Sequence, residues 1–431
     1  MRVLFTTLPV KAHLYLQVPL AWALRAAGHE VRFAVQPDIV DDVTGAGLTA
    51  VSIGEAVQQG EPASAEPVPD EDHPWNSEWE RVLDLAESRP ERLGYDYLQG
   101  VLTAWTFNFM TISPERLVDE LVGLARSWRP DLVIWDPVVF AGPVAARACG
   151  AAHARLLFGL DLVGHMRERY LGFVHDRPRE LREDPLDEWL GWVLARYGHT
   201  FAEDAVAGMW TIDPVPPSTR PAAGRHRVPV RYVPYNGQAA IPGWLREPPK
   251  RRRVCLTLGL SFREVLGRDR VSVARLLEAV ADVDAEVVAT LNADQLAGVP
   301  AVPDNVRAVD FVALNALLPT CSAIIHQGGI GQSQTALVHG VPQVVLPNGR
   351  WDTVPRARRL HGTGAGIHVG DDDGAPSADT VRRALLRVLD EPSFARNAGR
   401  LRTEMLGMPA PADIVPVLET LTAEHSGHGS G

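Results

Sequence analysis

Apolar residues in the first part of the chain come in short unbroken runs, each followed by a stretch with apolar positions at helical spacing. Residues 3–7 form such a run and predict a short buried strand; after a loop at 9–13, LQVPLAWALRAAGHEV has the spacing of a helix. Gly28 stops that helix, and residues 31–35 begin a second strand. LVIWD at 132–136 precedes the helix-like VVFAGPVAARACG, and HARLLF at 153–158 is again strand-like. Strand and helix in alternation predict a mostly parallel sheet, hence an α/β fold.

The pattern breaks twice. Residues 54–92 lose periodicity and are rich in Pro, Glu, Asp and Ala, which predicts a long loop or insertion. The stretch 160–212 carries charged helical patterns, expected as an outer helical layer. Residues 213–250 are Pro-rich and basic, as a linker would be. Beyond them the alternation resumes, with strands expected at 254–260, 285–291, 306–312, 322–329 and 341–347. The expected organisation is a Rossmann-like doubly wound domain over 1–215, a linker over 216–250 and a second such domain over 251–405. A C-terminal helix over 406–424 is expected to pack back on the first domain, followed by a tail at 425–431. Ligands of doubly wound sheets sit beyond the carboxyl ends of the strands, so chemistry is expected in the loops that follow strands.

A chain of 431 residues exceeds what one core usually supports, in keeping with two domains. Its net charge of -11 argues against a nucleic-acid partner, and phosphates would have to be met by local devices such as helix N-termini. Cys149, Cys255 and Cys321 are far apart in apolar runs, which predicts buried thiols in a reducing compartment rather than disulfides or a zinc site. The start lacks a signal-peptide pattern and no window reaches membrane-spanning length, so a cytoplasmic location and no membrane insertion are expected. No Asp-x-Asp with further ligands nearby suggests a metal site.

The strongest local signal is SAIIHQGGIGQSQTALVHGVPQVVLP. A strand is expected to end at His326, Gly328, Gly329 and Gly331 to form a turn, and a helix to begin near Gln332. Glycines let the backbone approach a phosphate, free amides and the helix dipole favour its charge, and His326 could donate to a phosphate oxygen. A dinucleotide-binding turn would need a glycine at Gln334, which disfavours a nicotinamide enzyme.

HQGGIGQSQTALVHGVPQVVLP followed by WD resembles the donor-binding signature of the two-domain (GT-B) family 1 glycosyltransferases. The nearest subgroup is the actinobacterial enzymes that attach deoxysugars to polyketide antibiotics. PLAWALRAAGHEVRFAVQP, RPDLVIWDP, DPLDEWL, WTIDPVPPSTR, VRYVPYNG and RRVCLTLG extend the similarity over residues 1–424. The resemblance implies a thymidine-diphosphate (TDP) sugar held by the C-terminal domain and an aglycone held by the N-terminal one. It also implies inversion at the anomeric carbon with no metal and no other cofactor. As protein partners it implies a P450-like auxiliary protein, with the acidic insertion and the helices after it as docking surfaces, and a homodimer.

By the same resemblance His13 is the general base and Asp136, ending LVIWD, is the carboxylate that orients it. By position alone His13 reads as a surface-loop histidine, and the alternative for Asp136 is a helix-capping acid. The glycine turn with Gln332 would hold the diphosphate, and Thr257, Gly259 and Ser261 would touch the diphosphate or nucleoside. Asp352 and Thr353 would meet the donor sugar. Three positions depart from the family: Gln327 replaces a histidine, Gly331-Gln332 replaces Gly-Thr, and Thr353 replaces glutamine. The expected reaction transfers a deoxysugar, leaning to an aminodeoxysugar, to an anthracycline-type hydroxyl. The alternatives are a macrolide acceptor, an epimerase or hydrolase on the same scaffold, and a silent glycoside-binding homologue. His29, the basic run 248–253 and the tryptophans, Trp75, Trp79, Trp105 and Trp128 among them, are expected to be structural or solvated.

Overall fold

The computed structural model describes residues 1–57, 84–221, 226–259, 272–347, 349, 351–370 and 376–426. They divide into two compact units, one of residues 1–214, 223–229 and 411–431, the other of residues 215–222 and 230–410.

The first unit is built on strands β1 (Arg2–Thr6), β2 (Glu30–Val35), β3 (Thr49–Ser52), β4 (Leu132–Trp135), β5 (Ala152–Leu156), β6 (Trp210–Asp213) and β7 (Arg227–Pro229). They form one sheet in the order β3-β2-β1-β4-β5-β6-β7, with every pairing parallel. Helices on both faces explain why β4 and β5 are buried at every position, and why their sequences read as apolar runs without alternation. Full burial of side chains such as Phe5, Phe33 or Ile134 contributes about 1.5–3 kcal/mol each. The helix Lys11–Ala26 follows β1, and Leu162–His175, Pro185–Ala195 and Asp204–Ala207 occupy the stretch expected as a helical layer. Most of the expected insertion, residues 58–83, lies outside the described residues, as do Trp75 and Trp79.

The second unit carries β8 (Arg253–Thr257), β9 (Glu286–Thr290), β10 (Val306–Val309), β11 (Ala323–His326), β12 (Gln343–Val345) and β13 (Gly366–His368). Their order is β10-β9-β8-β11-β12-β13, again parallel throughout. The expected fold class, two doubly wound α/β domains, is what the chain adopts.

The expected linker over 216–250 is not wholly a linker. Val228 lies at the core of β7, which extends the first sheet beside β6, because RVP can be extended next to a partner even where prolines forbid a helix. Arg253, the last residue of the basic run, opens β8 with its guanidinium buried on Glu286 at 2.9 Å. Of the helix expected over 406–424, the structure has Val415–Ser426; residues 406–407 end the preceding helix Pro392–Gly407, and Pro409 and Pro411 keep the two apart. The last of them belongs to the first unit, where His425 lies 5.4 Å from the Trp210 ring. His29, set aside as structural, accepts from the N-terminal amine at 3.0 Å and faces Glu419 of that helix at 2.9 Å.

Candidate functional site

In each sheet the strand order reverses once, between β1 and β4 in the first and between β8 and β11 in the second. The connections leave these strands in opposite directions, which opens a crevice beyond their carboxyl ends. The residues of both proposed sites fall at these two points.

At the first, His13 is not in the loop but in the opening turn of the helix Lys11–Ala26, and Asp136 follows β4 directly. His13 Nδ1 lies 2.6 Å from Asp136 Oδ2. The carboxylate is 1% exposed; its other oxygen accepts the Val138 amide at 3.2 Å, and Thr7 Oγ1 donates to Oδ2 at 3.4 Å. Asp136 therefore both caps its turn and holds the imidazole. With the carboxylate accepting at Nδ1, the neutral ring carries its proton there and leaves Nε2 as a base. The ring rests on Phe158, centroids 4.2 Å apart, and 16% of the His13 side chain stays exposed. A base needs this arrangement: fixed tautomer, restricted rotation and one open nitrogen.

At the second, β11 ends at His326 as expected, but the helix starts at Ile330, two residues early, so Gly331 is in its first turn. His326 does not reach out to a phosphate. It is fully buried, with Nε2 2.9 Å from Gln343 Oε1 and Nδ1 accepting the Gly328 amide at 3.0 Å. Gln343 Oε1 also accepts from Ser333 Oγ at 3.1 Å. Burial pulls the imidazole down to about 4, so it stays neutral and acts as a bracket that turns the Gly328 peptide inward. The Gly328 amide is consequently unavailable to an anion. Gly328 has φ +83, a conformation that favours glycine, and an added Cβ would meet Thr353 at 3.3 Å.

Gln332 folds back over the turn, accepting the Gly329 amide at 3.1 Å and reaching the Thr257 carbonyl at 3.5 Å. Thr257 itself is 3% exposed, its hydroxyl 2.7 Å from Thr290 Oγ1. Gly259, at φ +79, lies under Gln332. Ser261 lies outside the described residues.

Asp352 also differs from expectation. It is 3% exposed and both its oxygens are engaged by Arg356, Nε to Oδ2 at 3.1 Å and Nη2 to Oδ1 at 3.0 Å. Arg356 Nη2 donates as well to the Gly328 carbonyl, so the peptide clasped by His326 on one side is clasped by Arg356 on the other. Thr353 begins the helix Thr353–Thr363 and packs on Gly328. Arg356 was missed by sequence reasoning; its signal was the Asp-to-Arg spacing of four at the start of a helix. Trp128 stacks under Arg32 at 4.5 Å in a structural role. Among the described residues no group of three or more His, Cys, Asp or Glu is arranged to hold a metal, and no helix is long and apolar enough to cross a membrane.

Comparison with known proteins gives this pair of sites a family. Residues 22–259 match the N-terminal domain of the erythromycin biosynthesis protein CIII-like family, and residues 274–421 match its C-terminal domain. The chain is 56% identical over 428 residues to aclacinomycin-T 2-deoxy-L-fucose transferase of Streptomyces galilaeus, covering 99% of this chain and 97% of that protein. It is 48% identical to 3-alpha-mycarosylerythronolide B desosaminyl transferase of Saccharopolyspora erythraea, covering 98% and 99%. Among solved structures, glycosyltransferase VinC in complex with DTDP is similar at a TM-score of 0.87 and 40% identity, covering 98% of this chain and 100% of that one. Two parallel-sheet domains of the GT-B type, matched from end to end by antibiotic sugar transferases, lead to one assignment: the chain is a glycosyltransferase belonging to the erythromycin biosynthesis protein CIII-like family.

Proposed function

We propose that the protein transfers a deoxysugar from a TDP-sugar to a hydroxyl of a polyketide aglycone of the anthracycline type, with inversion. The observation that carries the reading is the His13–Asp136 pair, a buried carboxylate 2.6 Å from a partly exposed imidazole at the switch point of the first sheet. His13 Nε2 takes the proton of the acceptor hydroxyl as its oxygen bonds to the anomeric carbon. The bond from that carbon to the diphosphate breaks, and TDP leaves with the electron pair. Asp136 stabilises the imidazolium. Free amides of the first turn of the helix Ile330–His339, with its dipole, meet the leaving charge and supply electrostatic stabilisation without a cation.

The relative at 56% identity is named for 2-deoxy-L-fucose transfer to aclacinomycin T, and others at 45–47% are named for daunosamine and for rhodosamine transfer to aklavinone. Relatives at 46–48% are named for sugar transfer to 3-alpha-mycarosylerythronolide B, 10-deoxymethynolide and tylactone, so the preference for an anthracycline-type acceptor rests on the relative at 56%. The sugar class is deoxysugar, with neutral and amino forms both represented among the names.

The test is mass spectrometry of the purified protein with TDP-2-deoxy-L-fucose and TDP-aminodeoxysugars against aromatic and macrolide aglycones, with NMR of the anomeric configuration in any product. Glycosylated aromatic aglycone with inverted configuration is expected. Turnover of donor alone would point instead to an epimerase or hydrolase, and binding without turnover to a silent homologue. The auxiliary protein and homodimer implied by the resemblance are proposed with it. Full activity of the isolated chain would remove the first, and a monomeric mass in solution the second.

A further inference from the structure

We infer that the Gln332 carboxamide is an internal occupant of the anion seat, and that the donor's diphosphate binds by displacing it; the inference rests on the donor reading of this loop. Gln332 is 7% exposed and spans the two strand ends that flank the switch point of the second sheet. Its Oε1 takes the Gly329 amide at 3.1 Å, at the N-terminus of a ten-residue helix, and its Nε2 lies 3.5 Å from the Thr257 carbonyl after β8. The fit is close on both sides. A Cβ on Gly259 would come within 2.8 Å of Nε2, and one on Gly329 within 2.7 Å of Oε1. Only glycine at both places leaves the carboxamide its room.

The carboxamide oxygen thus occupies a position that a phosphate oxygen would take, against an amide and the positive end of a helix. A neutral amide oxygen is the weaker acceptor there, and a charged phosphate forms the stronger hydrogen bonds, so the exchange favours the donor. Between turnovers Gln332 keeps the turn formed and its amide satisfied. The cost is affinity, since binding must first break the contacts that Gln332 makes.

The experiment is the dissociation constant of TDP by calorimetry for the full chain and for Gln332→Ala, Gln332→Thr and Gln332→Glu, with thermal unfolding to confirm a folded state. Loss of one hydrogen-bonded competitor predicts TDP binding about three- to tenfold tighter in Gln332→Ala. Gln332→Thr, too short to reach the Thr257 carbonyl, should move the same way and serves if the alanine variant does not fold. Gln332→Glu should bind TDP more weakly than the wild type, because a carboxylate holds the seat more firmly and repels the ligand. Unchanged or weaker binding in both short variants would overturn displacement and make Gln332 an ordinary donor contact or a bystander. Absence of TDP binding in every protein, wild type included, would overturn the donor reading itself.

Discussion

Asp136 gives one carboxylate oxygen to His13 Nδ1 at 2.6 Å and the other to the Val138 amide at 3.2 Å. Backbone turn and imidazole are therefore set by the same side chain, and the ring cannot reorient without loss of a bond to a buried carboxylate. The two residues are 123 positions apart in sequence and meet because β1 and β4 are neighbours in the sheet.

Removing the proposed base should separate chemistry from binding. His13→Ala is expected to lower kcat by about 10²–10⁴-fold while leaving TDP affinity within twofold of wild type, since the residues proposed to bind the donor lie in the other unit. Single-turnover kinetics together with calorimetry check both parts, and an unchanged rate would move the base role to another residue.

Asp136→Asn should lower kcat while leaving the fold intact. The side-chain oxygen can still cap Val138, but an NH₂ then faces His13 Nδ1 and enforces the tautomer with its proton on Nε2. A loss on the order of 10³–10⁴ in kcat, not recovered at higher pH, is expected from the wrong tautomer. A pH–rate profile would decide; full recovery at high pH would mean that Asp136 only tunes basicity.

Arg356 is expected to matter more for stability than its place in a short ion pair suggests. Arg356→Ala removes both guanidinium hydrogen bonds from a carboxylate that is 3% exposed and releases the Gly328 carbonyl. Breaking such a buried pair costs about 3–5 kcal/mol, measurable by urea unfolding. The double variant Asp352→Asn/Arg356→Met should recover part of the loss, because it leaves no buried charge behind.

The bracket at His326 predicts a pH dependence. Its folded-state value of about 4 lies below the 6.5 of an ordinary histidine, so the unfolded chain takes up the proton first as pH falls. The stabilisation is present in full above pH 6.5 and is lost progressively down to about pH 4, for a total of about 3 kcal/mol. Protonation of Nδ1 would set an N–H against the Gly328 amide, which is the structural reason. Denaturant unfolding from pH 7 to 4 should show a shallower fall in His326→Asn than in wild type; parallel curves would contradict this.

The sheets were legible because buried parallel strands leave apolar runs that need no partner to be recognised, as LVIW and AIIH show. β7 was not, because three residues of RVP in a Pro-rich stretch become a strand only when β6 is beside them. The histidine and aspartate of the first unit were legible by resemblance, and the helix that carries His13 by its spacing. What sequence could not give was the direction in which side chains turn. His326 and Asp352 stand at the places a ligand-binding loop requires, yet both face inward, and their partners Gln343 and Arg356 lie 17 and 4 residues away. Burial of a polar side chain depends on what lies above it, which a local pattern does not record.

The route of the backbone between the units has a practical outcome. Both chain ends belong to the first unit, and residues 230–410 leave and return at neighbouring points, with the Arg231 amide donating to the Pro409 carbonyl at 2.7 Å. The second unit is thus inserted into the first rather than appended to it. A hybrid enzyme made by joining two parents at one junction would seat a foreign terminal helix beside Trp210 and His29. Hybrids spliced at two points, near 230 and near 410, keep both sheets and the terminal helix with their own parents, leaving only residues 215–222 on the second unit foreign to it, and should be the ones that fold.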